Sequence, residues 1–275
     1  MRRASAALSP WIRACQTLRR VGFAIGLLAL VPASAFPQAS DPRQVQPERP
    51  SVATHAGTVA PGWIELEIGA SFARAGDDWR GAAAPIAAKV GLAARWQLTI
   101  GGSIEAPDDG ETGVGDLNVA VKYRFAESRV LGRLAIMPNV KLPTGSQDRG
   151  TGVDTTDGSL VLISSHSFGR VTLDLNAAYT RRSGDGTIAA RNATVWAISV
   201  GNPAMKRIGW GTEISGTLRT TGPSGEPASY ALLTGPAFSI ARWLSVDAGV
   251  SVQLSEDHPY RIFFGGVWNV GKIWP

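Results

Sequence analysis

Cysteine is almost absent: Cys15 is the one thiol in 275 residues. It precedes an apolar run, where a lipid-modified cysteine would follow one. Beyond that N-terminal region the chain has no thiol, which excludes disulfides and cysteine-ligated metals. Histidine is scarce too, with only His55, His166 and His258. No apolar run approaches the roughly 20 residues that a transmembrane helix needs. The longest candidate, "VGFAIGLLALV", spans eleven residues and ends at Pro32. Aromatic residues make up 8% against 32 glycines, a balance that leans away from a helical bundle.

That apolar run belongs to an export signal. Arg2, Arg3, Arg13, Arg19 and Arg20 precede it and "PASA" follows, so residues 1–35 read as a signal peptide with cleavage after Ala35. Ala39 is a second candidate, although it sets Pro37 where a small residue is expected. The whole chain has 27 basic and 22 acidic side chains; the five arginines of the signal account for the difference, leaving 22 of each. Basicity is therefore a property of the signal, and no nucleic-acid partner is expected.

Residues 36–61 carry five prolines among polar residues and read as a flexible periplasmic leader. From Trp63 onward the dominant period is two, the mark of strands with unlike faces. In "WIELEIGASF" the residues Ile64, Leu66, Ile68, Ala70 and Phe72 oppose Glu65, Glu67 and Ser71. In "WLSVDAGVSVQL" an apolar row from Leu244 to Leu254 opposes Ser245, Asp247, Ser251 and Gln253. Strands are expected over 63–72, 85–94, 96–106, 113–125, 130–142, 158–168, 170–180, 192–201, 208–219, 229–239, 243–254 and 260–274, twelve in all. Long polar or glycine-rich links are expected near 75–84, 107–115, 143–157, 181–191, 220–228 and 255–259. They alternate with short turns near 95, 127, 169, 204 and 241.

Alternating long and short links between amphipathic strands suit an antiparallel transmembrane β-barrel. A secreted β-sandwich also alternates. Against it stand strands of about 10 to 12 residues, where about 5 or 6 is usual, and ionisable groups in mid-strand. Aromatics also sit near strand ends, among them Trp63, Trp96, Phe168, Tyr179, Trp243 and Trp274, as in an interfacial girdle. The barrel, over 62–275, is the expected fold. Its lumen-facing candidates are Glu65, Glu67, Lys89, Asp116, Lys122, Arg124, Arg133, Lys141, Asp174, Glu213 and Asp247. Six are acidic and five basic, so strong charge selectivity is not expected.

The stretch "GVGDLNVAVKYRF" at 113–125, then "MPNVKLPTGS" and the loop "DRGTGVDTTDG", resembles the outer-membrane barrel family labelled for the meta-pathway of phenol degradation. The likeness is most specific over 113–158 and covers 62–274 through the strand pattern. It implies a bacterial outer-membrane barrel of transporter type and, more weakly, aromatic-compound catabolism. No binding or catalytic residue transfers with it.

Other chemistry finds little support. Gly113 and Gly115 precede a strand without the third glycine and helix of a dinucleotide loop. Asp148, Asp154 and Asp157 lack calcium-loop spacing, so no metal or cofactor is expected, though weak cation or lipopolysaccharide contact stays open. His166, flanked by serines, is the histidine to test as a base, without a visible orienting acid. The reading is a narrow pore or uptake channel for small solutes, aromatic or hydrophobic ones among the candidates. A structural or adhesion barrel with a filled lumen is the alternative, and an outer-membrane hydrolase comes third. Membrane lipid, lipopolysaccharide and the barrel-insertion machinery are the expected partners.

Overall fold

The computed structural model describes residues 41–205, 207–254 and 258–274. The signal segment and both candidate cleavage sites lie outside them. The strands are β1 (Trp63–Ala75), β2 (Asp78–Ala93), β3 (Trp96–Ala106), β4 (Gly113–Val114), β5 (Leu117–Ser128), β6 (Gly132–Leu142), β7 (Asp157–Phe168), β8 (Val171–Arg182), β9 (Asn192–Met205), β10 (Ile208–Thr217), β11 (Ser229–Ala241), β12 (Leu244–Gln253) and β13 (Tyr260–Lys272). Each full-length strand pairs antiparallel with its sequence neighbours, and β1 pairs with both β2 and β13. The ring is closed. Because β4 is a two-residue segment beside the upper end of β3, twelve full strands form the wall.

Closure removes sheet edges and satisfies the backbone along every strand, the condition for crossing hydrocarbon. The alternation then sorts side chains by face. Ile68, Ile86, Ile100, Leu162, Phe264 and Trp268 are exposed on the outside of the wall, while Glu65, Lys89, Gln97, Lys122, Glu213 and Asn269 are almost wholly buried inside it. An apolar exterior around a polar interior is the inverse of a soluble sandwich and fits a bilayer. Trp96 stacks on Tyr123 near the short-turn end, with centroids 4.2 Å apart. Phe72 lies near Trp79 and Phe264 toward the loop end.

Two expectations need correction. The loop expected at 75–84 is a tight hairpin: β2 begins at Asp78, and Phe72 pairs with Ala82. The alternation fades there because this part of the hairpin extends past the apolar zone, so neither face needs to be greasy. The second correction concerns the leader. Its described part, residues 41–61, is not a free tether but lies inside the barrel.

Candidate functional site: the occupied lumen

The leader enters at the short-turn end, rises to about mid-barrel at Arg49–Val52, and returns to β1. At entry, Val45 N–H donates to the Arg242 carbonyl (3.0 Å), and Arg242 pairs with Asp41 at 2.6 Å. Higher up, the Glu48 N–H donates to Glu67 at 2.8 Å. Arg49 donates to the Ile68 carbonyl at 2.7 Å and pairs with Asp247 at 3.4 Å. Across the lumen, Glu213 accepts the N–H groups of Val52 (3.0 Å) and Ala53 (2.8 Å). On the way down, Thr54 N–H donates to Asn176 (2.9 Å), Ala56 N–H to Ser165 (2.8 Å) and Val59 N–H to Gln97 (3.0 Å). Ala56 packs on Ala135 and Ile163.

The physical reason is that an extended segment has a full set of backbone donors and acceptors, and the wall strands supply side-chain partners for them inside a closed ring. Small residues such as Ala53, Ala56 and Gly57 let the chain fit the bore. Two lysines do most of the anchoring. Lys89 contacts Glu67 (2.8 Å) and Glu65 (3.3 Å) and also donates to the Gln46 carbonyl. Lys122 donates to Glu48 (2.5 Å), Thr54 Oγ1 (2.9 Å) and the His55 carbonyl (2.8 Å).

The remaining candidates fall elsewhere in the lumen. Asp116 and Lys141 meet at 2.6 Å, and Asp116 also accepts the Gly145 N–H (3.1 Å), tying down the loop that follows β6. Arg133 faces inward beside the β5–β6 turn, paired in register with Ser165. Asp174 accepts from Ser165 at 2.5 Å, and Arg124 is buried against the β2–β3 turn, donating to the Ala94 carbonyl at 3.4 Å. Sequence reasoning overlooked Gln97, Ser165, Asn176 and Asn269. They share the phase of the ionisable row, which was the available signal. It also overlooked Glu48 and Arg49, whose role depends on where the leader goes.

In the leader, burial and the neighbouring Lys122 charge depress the His55 imidazole to about 3. Its Nδ1 accepts the Gly57 N–H at 2.9 Å. Burial alone would raise the Glu48 carboxyl, but the Lys122 and Lys89 ammonium groups outweigh it and hold Glu48 far below the usual carboxylate range.

Above the leader, a cavity of about 730 Å³ occupies the loop-side half of the lumen. Its floor is Glu48–Val52. Its walls are small residues such as Ala73, Ala83 and Ser251, with Phe263 and Arg261 on one side. His166 lies apart from it. Ser165 points into the lumen; Ser164 and His166 alternate to the outer face of β7, their side chains 3.0 Å apart. His166 stacks on Phe168, and no carboxylate hydrogen-bonds to it among the described residues.

A family model described as "Putative MetA-pathway of phenol degradation" matches residues 49–269. The chain belongs to this family. Among solved structures, it is similar to the COG4313 outer membrane channel from Pseudomonas putida F1 at 11% identity and a TM-score of 0.61, with 82% of this chain and 99% of that one covered. The NanC porin is similar at 8% identity and a TM-score of 0.56, covering 74% and 98%. KdgM porin in complex with disordered oligogalacturonate follows at 11% identity and 0.51, covering 74% and 98%. No curated protein matches. The family member described here therefore has the fold of outer-membrane barrels, and its apolar outer belt agrees with that location.

Proposed function

We propose that this barrel is a narrow outer-membrane channel that admits small solutes from the loop side. The observation that carries the reading is the cavity of about 730 Å³ on the loop side of the leader, walled by small residues within a closed twelve-strand ring. Twelve strands lie between the roughly 8-stranded barrels that side chains fill and the wide bores of about 16 to 18 strands. The leader narrows this bore further. Phe263 beside Arg261 supports a solute with an aromatic or apolar body, in keeping with the family's description.

The second reading is a barrel with a filled lumen that acts through its loops, and the docked leader favours it. Single-channel recording separates the two. Purified barrel inserted in planar bilayers is expected to show small conductance steps, enlarged when residues 41–58 are deleted. Confirmed insertion without steps in either form would overturn the channel. We read the protein as a non-enzyme, since the Ser164–His166 pair lies on the outer face without an orienting acid. Hydrolysis of a lipid or peptide substrate that is lost in His166→Ala would refute this.

A further inference from the structure

The leader does not cover the whole inner wall. Its hydrogen bonds and ion pairs reach β1, β2, β3, β5, β7, β8, β10, β12 and β13, and Ala56 packs on β6. None reaches β9 or β11 among the described residues. Where the leader lies the wall is sealed: Gln97, Lys122, Ala135 and Asn269 are 1% exposed or less. The turn-side half of β9, β10 and β11 differs. Ile198, Val200, Trp210 and Phe238 are exposed on the outer face there, so Ser199, Gly201, Gly209, Gly211 and Ala237 face the lumen. All five are only half-buried, and Thr172, paired with Gly201, is exposed. Gly211 lies opposite Gly201 and Gly235, and a Cβ added to it would meet nothing nearer than the Gly235 carbonyl oxygen at 4.0 Å. The space over this part of the wall is open.

Two clasps hold the leader tip between this hollow and the cavity above it. Glu213 on β10 accepts from Val52 and Ala53, and Asp247 on β12 pairs with Arg49. The strand between them, β11, offers the tip no partner. Its inward row runs Ala231, Leu233, Gly235 and Ala237, so Leu233 is the one large side chain on it, and Leu233 also lines the cavity. An extended backbone holds to a wall where the wall answers its N–H and C=O groups. Along β11 that answer is missing, and the seal is weakest there. We propose, resting on the channel reading above, that solutes pass the docked leader along β11, from the cavity over Leu233 into the turn-side hollow, and that Leu233 sets the size limit. Passage then needs no undocking, since the Lys89 and Lys122 anchors lie on the other side of the lumen.

The test uses the full barrel with its leader, which have no thiol of their own. Gly211→Cys is expected to react with a small water-soluble thiosulfonate while the leader is docked. Ala135→Cys, beneath the leader, should react only after residues 41–58 are deleted. In planar bilayers the modified Gly211→Cys barrel should lose at least about half of its conductance step, and Leu233→Trp should do the same. Hydrogen exchange over residues 44–58 should stay unchanged in both. Gly211→Cys that is unreactive with the leader docked, or that reacts without changing the step, overturns the route. Equal reaction of Ala135→Cys overturns it too, because the leader then shields no part of the wall. Steps that appear only after deletion of the leader overturn the route and leave the channel reading standing. Steps in neither form remove that reading and the route with it.

Discussion

The Lys122 ammonium, projecting from the middle of β5 and fully buried, sits 2.5 Å from the Glu48 carboxylate of the leader, which is largely buried at the floor of the cavity. The same ammonium reaches the carbonyl oxygen of His55. One wall residue therefore holds both limbs of the leader as it rises and returns.

Removing one member of such a pair leaves the other charge poorly compensated, at a cost of up to about 3–5 kcal/mol where the remaining group is fully buried and less where, as for Glu48, it borders the cavity. Lys122→Met is therefore expected to undock the leader while leaving the ring closed. The readout is hydrogen exchange over residues 44–58, which should speed up strongly with the barrel still heat-modifiable. Glu48→Gln combined with Lys122→Met should cost clearly less than the sum of the two single changes. Additive losses would mean that the pair is not coupled.

Acid should act in the same direction. His55 titrates near 6.5 when undocked and near 3 when docked, so between those values the released leader binds a proton that the docked one excludes. Docking is thus at full strength above about pH 6.5 and weakens as pH falls toward 3. Glu48, held below its ordinary 4.5, adds a second loss below that point. The groups facing His55 are Lys122, Glu48, Lys89 and Arg133. Leader exchange compared at about pH 7.5 and about pH 5 should be faster at the lower value. His55→Asn, which keeps an acceptor, should flatten the upper part of that dependence. An unchanged rate would defeat the argument.

The wall was legible in the sequence because its constraint is local. Lipid on one side and polar surroundings on the other force alternation residue by residue, as in Ile64 to Phe72 against Glu65 to Ser71, and a single strand displays it. The leader was not legible, because its structure depends on partners scattered over the chain. Glu65, Gln97, Ser165, Asn176 and Glu213 supply its acceptors, and only ring closure brings those five strands around one axis. Proline-rich polar sequence reads as unfolded in isolation, and it folds here by borrowing the polar face of the wall. The hairpin at 76–77 was missed for a related reason, since strands above the bilayer no longer need an apolar face.

The outer face offers an independent check on the membrane assignment. Ile100, midway along β3 and 44% exposed, should contact hydrocarbon. Ile100→Arg is expected to destabilise folding into lipid vesicles by about 2–4 kcal/mol, as a charge near the midplane does. Refolding yield against urea measures it. A neutral effect would place this belt outside the bilayer core.

The returning limb of the leader passes close against Gly91, where hydrogen takes the place of a side chain. A Cβ there would come within 2.1 Å of the Ala60 carbonyl oxygen and 2.4 Å of that of Val59. Both are backbone atoms that cannot swing aside. The Gly91 carbonyl also accepts the Gly62 N–H at 2.8 Å, so the contact cannot widen without losing the hydrogen bond that leads into β1. Gly91→Ala should therefore displace residues 58–62 and raise both exchange and proteolysis in the leader. Gly158→Ala, where an added Cβ would meet nothing within 4 Å, is the matched control and should leave docking unchanged. If both variants behave like the unaltered protein, the leader does not run along β2. If both loosen it, alanine is acting on strand formation and not on the close approach.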